Sequence, residues 1–203
     1  MRLDKWLAHY GGVSRSEATK AVRRKQVTID GEMVNSPSTK ILEGAVVELD
    51  GIRIEPLPKL LAFHKPVGLV TTESDPHGRP CVGDWLPHRY HIVGRLDLDT
   101  HGLLLFSTDG ALTQHLLHPK RGIEREYVAK VEGEPTPQLV EKLAKGVETS
   151  VGLATAKVLS IEGDVVRLVV TEGRNRVVRR MLHNAGYSVL DLQRVRYGSS
   201  LDE

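Results

Sequence analysis

A single cysteine, Cys81, in 203 residues leaves no partner for an intramolecular disulfide and no basis for a thiolate metal cluster, which fits a reducing compartment such as the cytoplasm. No apolar run approaches the ~20 residues needed to span a bilayer. The N-terminus opens on Arg2, Asp4 and Lys5, without a basic stub and apolar core, so neither export nor membrane insertion is expected. A Walker-type phosphate loop and a GxGxxG turn are also missing, so nucleotide hydrolysis and dinucleotide binding lack support. An excess of charge of either sign is nearly absent as well. A formal net charge of +2 is too small to argue for nucleic acid, and its distribution has to carry that question.

The distribution is uneven. Residues 1–25 hold seven basic side chains (Arg2, Lys5, Arg15, Lys20, Arg23, Arg24, Lys25) against Asp4 and Glu17. Residues 26–58 hold only Lys40 and Arg53 against six acids, so the N-terminal region presents a basic face on a polarised chain. A hydrophobic fraction of 40% over this length fits one ordinary domain plus a small one, with no internal repeat or low-complexity tract.

Leu3, Trp6 and Leu7 at helical spacing, stopped by Gly11-Gly12, predict a first short helix. Ser14 with Glu17 three residues on is a capping-box pattern, and Ala18, Ala21 and Val22 give a second, basic helix an apolar stripe that ends near Lys25. Residues 26–31 then alternate into an Asp-Gly turn, and residues 45–49 alternate into another. These elements make a domain over residues 1–55, with Pro56-Leu57-Pro58 inside a linker over residues 56–59 and a second domain over residues 60–203. In that second domain strands are expected at residues 60–63, 69–72, 91–93, 103–106, 127–131, 156–161 and 165–170, and helices at 112–117, 136–145 and 176–185. Runs of strands without regular strand-helix alternation predict an α+β fold with a mainly antiparallel sheet.

The segment with most chemistry is Gly94-Arg95-Leu96-Asp97-Leu98-Asp99-Thr100-His101-Gly102, a polar loop carrying two carboxylates between apolar runs. A loop acid on a rigid scaffold is a common way to build a site. The plain alternative is a turn capped by Asp97, with Arg95 and Asp99 in surface ion pairs. The loop resembles the GRLDxxTxGLLL signature of the RsuA/RluB-type bacterial ribosomal RNA pseudouridine synthases, and Asp97 stands where that family has its nucleophile. Lys65-Pro66-Val67-Gly68, Ser107-Thr108-Asp109-Gly110, Arg125-Glu126-Tyr127 and the run from Gly173-Arg174-Asn175-Arg176 to Met181 follow the family's order, so the resemblance covers about residues 60–197. Two departures are His64, where asparagine is usual, and Arg125, where lysine is usual. Ahead of it, VSRSEATKAVRRKQVTIDGEMV resembles the S4 RNA-binding module. That implies RNA-phosphate contacts from Arg2, Lys5, Arg15, Arg23, Arg24 and Lys25, against the plain alternative of a solvated helix face.

The resemblance implies a cofactor-free isomerase with no metal. It would convert one uridine of ribosomal RNA, in free RNA or in a ribosome assembly intermediate, and work as a cytoplasmic monomer. A carboxylate nucleophile splits such a reaction into easier steps by attacking either the base or the sugar. It implies Asp97 as nucleophile, Tyr127 stacked on the base as a proton acceptor, and Arg179 paired with Asp97. It leaves Arg95 to hold the gap of an extruded base, and Arg174 and Arg176 to contact phosphate. Taken from the residues alone, Tyr127 reads as core and Arg179 as a surface ion pair. Motif three looks more like that of the large-subunit enzymes, while the Arg-Leu-Asp-Lys opening resembles the small-subunit one. Two other readings stand beside the synthase. One is a non-catalytic S4-type rRNA-binding protein. The other is a metal-dependent hydrolase using Asp97, Asp99 and His101, His115 and His118.

Overall fold

The computed structural model describes residues 1–87 and 89–198; residues 199–203 of the expected second domain lie outside the described residues. The chain divides into two units, Met1–Pro58 and Lys59–Glu203. Among the described residues no helix is long and apolar enough to cross a membrane.

In the first unit α1 (Leu3–Tyr10) and α2 (Arg15–Arg23) pack Leu3, Trp6, Leu7, Ala18 and Val22 against Val27 and Val47 of a small sheet. That sheet is antiparallel, in the order β2 (Glu32–Met33), β1 (Val27–Ile29), β3 (Val47–Leu49), β4 (Ile52–Ile54). The capping box is present: Ser14 Oγ accepts from Glu17 N–H while the Glu17 carboxylate accepts from Ser14 N–H. Beyond α2, Lys25 takes φ 59°, and the N–H groups of Lys25 and Gln26 donate back to the carbonyls of Val22 and Ala21. This closes the helix in the manner usually reserved for glycine.

The second unit is built on one sheet in the order β5 (Leu60–Lys65), β7 (His101–Ser107), β11 (Val189–Tyr197), β8 (Arg125–Val131), β10 (Val165–Val170), β9 (Lys157–Glu162), with β6 (His91–Val93) also paired to β7. Every pairing is antiparallel except β7 with β11. Helices α4 (Gln138–Lys145) and α5 (Val177–Ala185) bury Leu139, Leu143, Val178, Met181 and Leu182 against β8 and β10. Helix α3 (Gly110–Leu117), capped by Asp109, packs Leu116 with Val93, Leu105 and Tyr197.

The site-forming feature is the contact between the two halves of this sheet. Strand β5 takes one edge of β7 along its length. The other edge is shared: β11 pairs with His101 and Gly102, and β6 pairs with Leu105 to Ser107. The loop 94–100 leaves from the fork between them. Gly102, at φ 102°, is required there, since a Cβ would come within 2.2 Å of the Arg194 carbonyl oxygen.

Two sequence expectations need correction. Residues 69–72 form no strand. This segment and the glycine before it pin the loop instead: Gly68 N–H donates to the Leu98 carbonyl, and Thr71 Oγ1 both donates to the Leu96 carbonyl and accepts from Leu96 N–H. Conversely, residues 189–197 form the longest strand, β11, which the sequence reading left without an element because arginines break its apolar pattern. A bulge between Arg194 and Arg196 also sends those two side chains to opposite faces: Arg194 pairs across from Tyr127, and Arg196 from Glu126.

Candidate active site

A cleft of about 720 Å³ opens beside the fork, lined by the 94–97 segment, Tyr127 of β8, the turn 171–176 before α5, and Leu192, Arg194 and Tyr197 of β11. The structure therefore brings Asp97, Tyr127, Arg179, Arg95, Arg174 and Arg176 to one cleft. Six arginines line it against Asp97 and Glu172, so its ligand is expected to be anionic.

Asp97 sits at a turn closed by Thr100 N–H donating to its carbonyl, with its side chain 30% exposed. The expected Arg179–Asp97 pair is not formed. Arg179 places Nε 3.4 Å from the Asp99 carboxylate and donates through Nη2 to the Asp99 carbonyl at 2.6 Å. The cation nearest Asp97 is Arg176 at 3.8 Å, and Arg176 is itself bidentate to Asp99 at 2.7 Å for both bonds. The reason is placement. Arg176 caps α5 in the left-handed region, φ 51°, which swings its guanidinium over the loop, while Arg179 lies one turn deeper and meets the loop's backbone. A non-glycine residue held in that region marks a conformation stabilised by its surroundings, here two parallel charge-assisted bonds.

These contacts set the local electrostatics. The hydrogen bonds from Arg176 hold the Asp99 carboxyl below its usual range, whereas burial lowers the Arg179 guanidinium. Lys65, fully buried at the end of β5 with Nζ donating to the Pro66 carbonyl, is likewise lowered by burial, with Asp97 and Asp99 pulling the other way. The loop thus faces three fixed cations, one at the end of β5 and two on α5 and its cap, which favours the ionised form of Asp99.

The remaining candidates fall into two groups. Arg95 is exposed at the cleft and makes no ion pair among the described residues. Arg174 does not fit the expected phosphate contact, because its guanidinium is tied to Glu172 and to the carbonyls of Val151 and Leu153. In the first unit Arg2 and Arg15 both grip the buried Asp4 carboxylate, at 3.0 and 3.3 Å, while Lys5, Arg23, Arg24 and Lys25 are exposed without an ion pair among the described residues. The histidines are dispersed: His101 pairs with Asp191 on β11, and His118 Nδ1 accepts from Lys120 N–H. Sequence reasoning missed Lys65, Arg125, Arg194 and Tyr197 as site residues. Lys65 lay inside a quoted motif, whereas the signal for Arg194 and Tyr197 was hidden with strand β11.

Residues 59–184 match the family described as RNA pseudouridylate synthase, and residues 1–47 match the S4 domain. The chain is 37% identical over 207 residues to the ribosomal large subunit pseudouridine synthase B of Bacillus subtilis strain 168, covering 97% of this chain and 85% of that protein. It is 38% identical over 213 residues to the protein of the same name from Escherichia coli strain K12, covering 97% and 73%. Among solved structures, a crystal structure of a pseudouridylate synthase aligns over 97% of this chain and 88% of that one, with a TM-score of 0.63 and 29% identity.

Proposed function

The chain belongs to the RNA pseudouridylate synthase family, carrying an S4 domain ahead of the synthase domain, and from that premise we propose that it isomerises one uridine of large-subunit ribosomal RNA to pseudouridine. The observation that carries the reading is the presentation of Asp97 at the mouth of an arginine-rich cleft that also contains Tyr127. In this reading Asp97 is the nucleophile and attacks the base or the sugar of an extruded uridine. Tyr127 stacks on the base and accepts a proton. Arg176 and Arg179 hold the loop through Asp99 and keep positive potential beside Asp97, so Arg179 acts on the nucleophile through its neighbour. Arg95, exposed and without an ion pair among the described residues, fills the space left by the extruded base.

Lys5, Arg23, Arg24 and Lys25 supply phosphate contacts from the S4 domain, the protein acts as a monomer in the cytoplasm, and its partner is ribosomal RNA or an assembly intermediate. The test is a pseudouridine map of ribosomal RNA from cells lacking the gene, complemented with wild type or with Asp97→Ala. One large-subunit site should vanish, return with wild type, and stay absent with a soluble Asp97→Ala protein. Persistence of every site would favour the rRNA-binding reading, and a missing small-subunit site would move the substrate.

A further inference from the structure

In the lining of the cleft two arginines are buried without a carboxylate partner among the described residues. Arg125 donates to the carbonyls of Ile123 and Thr171 and to the Tyr197 hydroxyl, all neutral acceptors. Arg194, 2% exposed, donates through Nε to the Leu103 carbonyl at 2.7 Å, and its Nη2 is shielded from water with no hydrogen-bond partner. Their guanidinium carbons lie 4.8 and 5.0 Å from the centre of the Tyr197 ring, which fixes both planes. Arg179 Nε also lacks a hydrogen bond, but it stands 3.4 Å from the Asp99 carboxylate. Arg194 has no such neighbour among the described residues. A buried charged donor left open costs folding free energy, and in a fold selected for stability alone an apolar residue would serve better.

This uncompensated guanidinium belongs to the lining of the cleft, where the reaction needs a cation. Arg194 faces Tyr127 across the β8–β11 register, and both line the cleft that holds Asp97. In the isomerisation the N1–C1′ bond breaks and the C5–C1′ bond forms, the C5 proton leaves, N1 gains a proton, and no atom is added. Either opening step drives an electron pair onto the pyrimidine. Carboxylate attack at C6 places it on O4 as an enolate, and departure of the base from C1′ leaves a uracil anion with charge shared between O2 and O4.

We propose that Arg194 is a catalytic residue whose guanidinium, part of the cleft lining, donates to a carbonyl oxygen of the target uracil and stabilises the negative charge that develops there. This rests on the reading of the cleft as the uridine-isomerising site. A donor aimed at developing charge in a dry site acts selectively on the transition state. Arg125 and Tyr197 are positioning residues for it.

The experiment compares wild type and Arg194→Met in single turnover on an rRNA fragment spanning the mapped uridine, synthesised with uridine or with 5-fluorouridine at that position. Loss of the starting nucleoside is followed by chromatography of digests. Fluorine at C5 withdraws charge from the ring and takes over part of what the guanidinium supplies. The variant should therefore lose about 100-fold on uridine and about tenfold or less on 5-fluorouridine. A ratio of about five or more between the two losses carries the proposal, and a smaller ratio, as equal losses from a purely structural defect would give, overturns it. If Arg194→Met shows no cooperative melt, Arg194→Lys, which keeps the charge but not the fork, is put through the same pair of RNAs and the same ratio decides. Wild type inactive on uridine would instead overturn the isomerase reading itself, a result distinct from equal losses in an active series.

Discussion

Strands β8 and β11 carry charge on both faces, and the two faces are balanced in opposite ways. On one, Glu126 is 5% exposed and closed by two arginines: Arg196 donates at 2.8 Å, and Arg167 from β10 completes the carboxylate. Burial alone would raise the Glu126 pKa, but the hydrogen bonds from Arg196 and Arg167 outweigh it and hold the carboxyl below its ordinary value. On the other face Arg125 and Arg194 flank Tyr197 with only neutral acceptors. Two arginines only two residues apart, Arg194 and Arg196, thus serve two ends. Where the charge is closed the side chain holds strands together, and where the charge is left open it waits for a ligand.

The difference can be tested from either side. The largest effect is expected on the open face: Asp97→Asn should lower single-turnover isomerisation by about 10⁴-fold. Its melting temperature should stay within about 2 °C of wild type, because no strong ion pair is lost. A large drop in stability would mean that the cleft, too, is held by its charges. On the closed face the order reverses. Glu126→Gln should cost about 2 kcal/mol of stability in urea unfolding, reduced from the buried-pair range because Arg167 is half exposed, while the folded variant keeps its turnover.

The same carboxyl sets a pH signature. A folded pKa below the free value of 4.5 gives a stabilisation complete above that pH and lost as pH falls through the folded value. The gap in melting temperature between wild type and Glu126→Gln should therefore be full at neutral pH and close in acid. A gap that persists in acid would assign the loss to packing. The smallest effect belongs to the S4 domain. Lys25→Gly should hold or raise stability by about 0.5–1 kcal/mol, because it relieves a left-handed φ. It should also weaken rRNA binding with a salt slope shallower by about one. An unchanged slope would leave Lys25 as a solvated helix end.

Much of this was legible from the residues. Ser14 and Glu17 announced α2, Asp30-Gly31 and Asp50-Gly51 announced hairpins, and the bracketed acids announced the loop, because capping and turn chemistry are local. What stayed hidden was non-local. The 173–196 stretch holds six arginines against Asp191 alone, and nothing along the chain shows that Arg194 turns inward while Arg196 turns to Glu126, since the bulge between them breaks the two-residue period. The partner of Arg179 was misread for a similar reason: spacing places it on α5, but only the left-handed cap at Arg176 decides which arginine reaches which acid.

The short junction between β7 and β11 has a mechanical consequence. Only two residue pairs join the half-sheets there, yet Asp97 rides on one half while Tyr127, Arg176 and Arg179 ride on the other, with Arg194 bonded to Leu103 and Arg176 bonded to Asp99 acting as crossbars. One half carries α4 and α5 over its own apolar cluster, whereas the cluster under α3 on the other half also takes in Tyr197 of β11. On warming, slippage at this seam would misalign the nucleophile before the cluster under α4 and α5 melts, so the enzyme should fall silent several degrees before it unfolds.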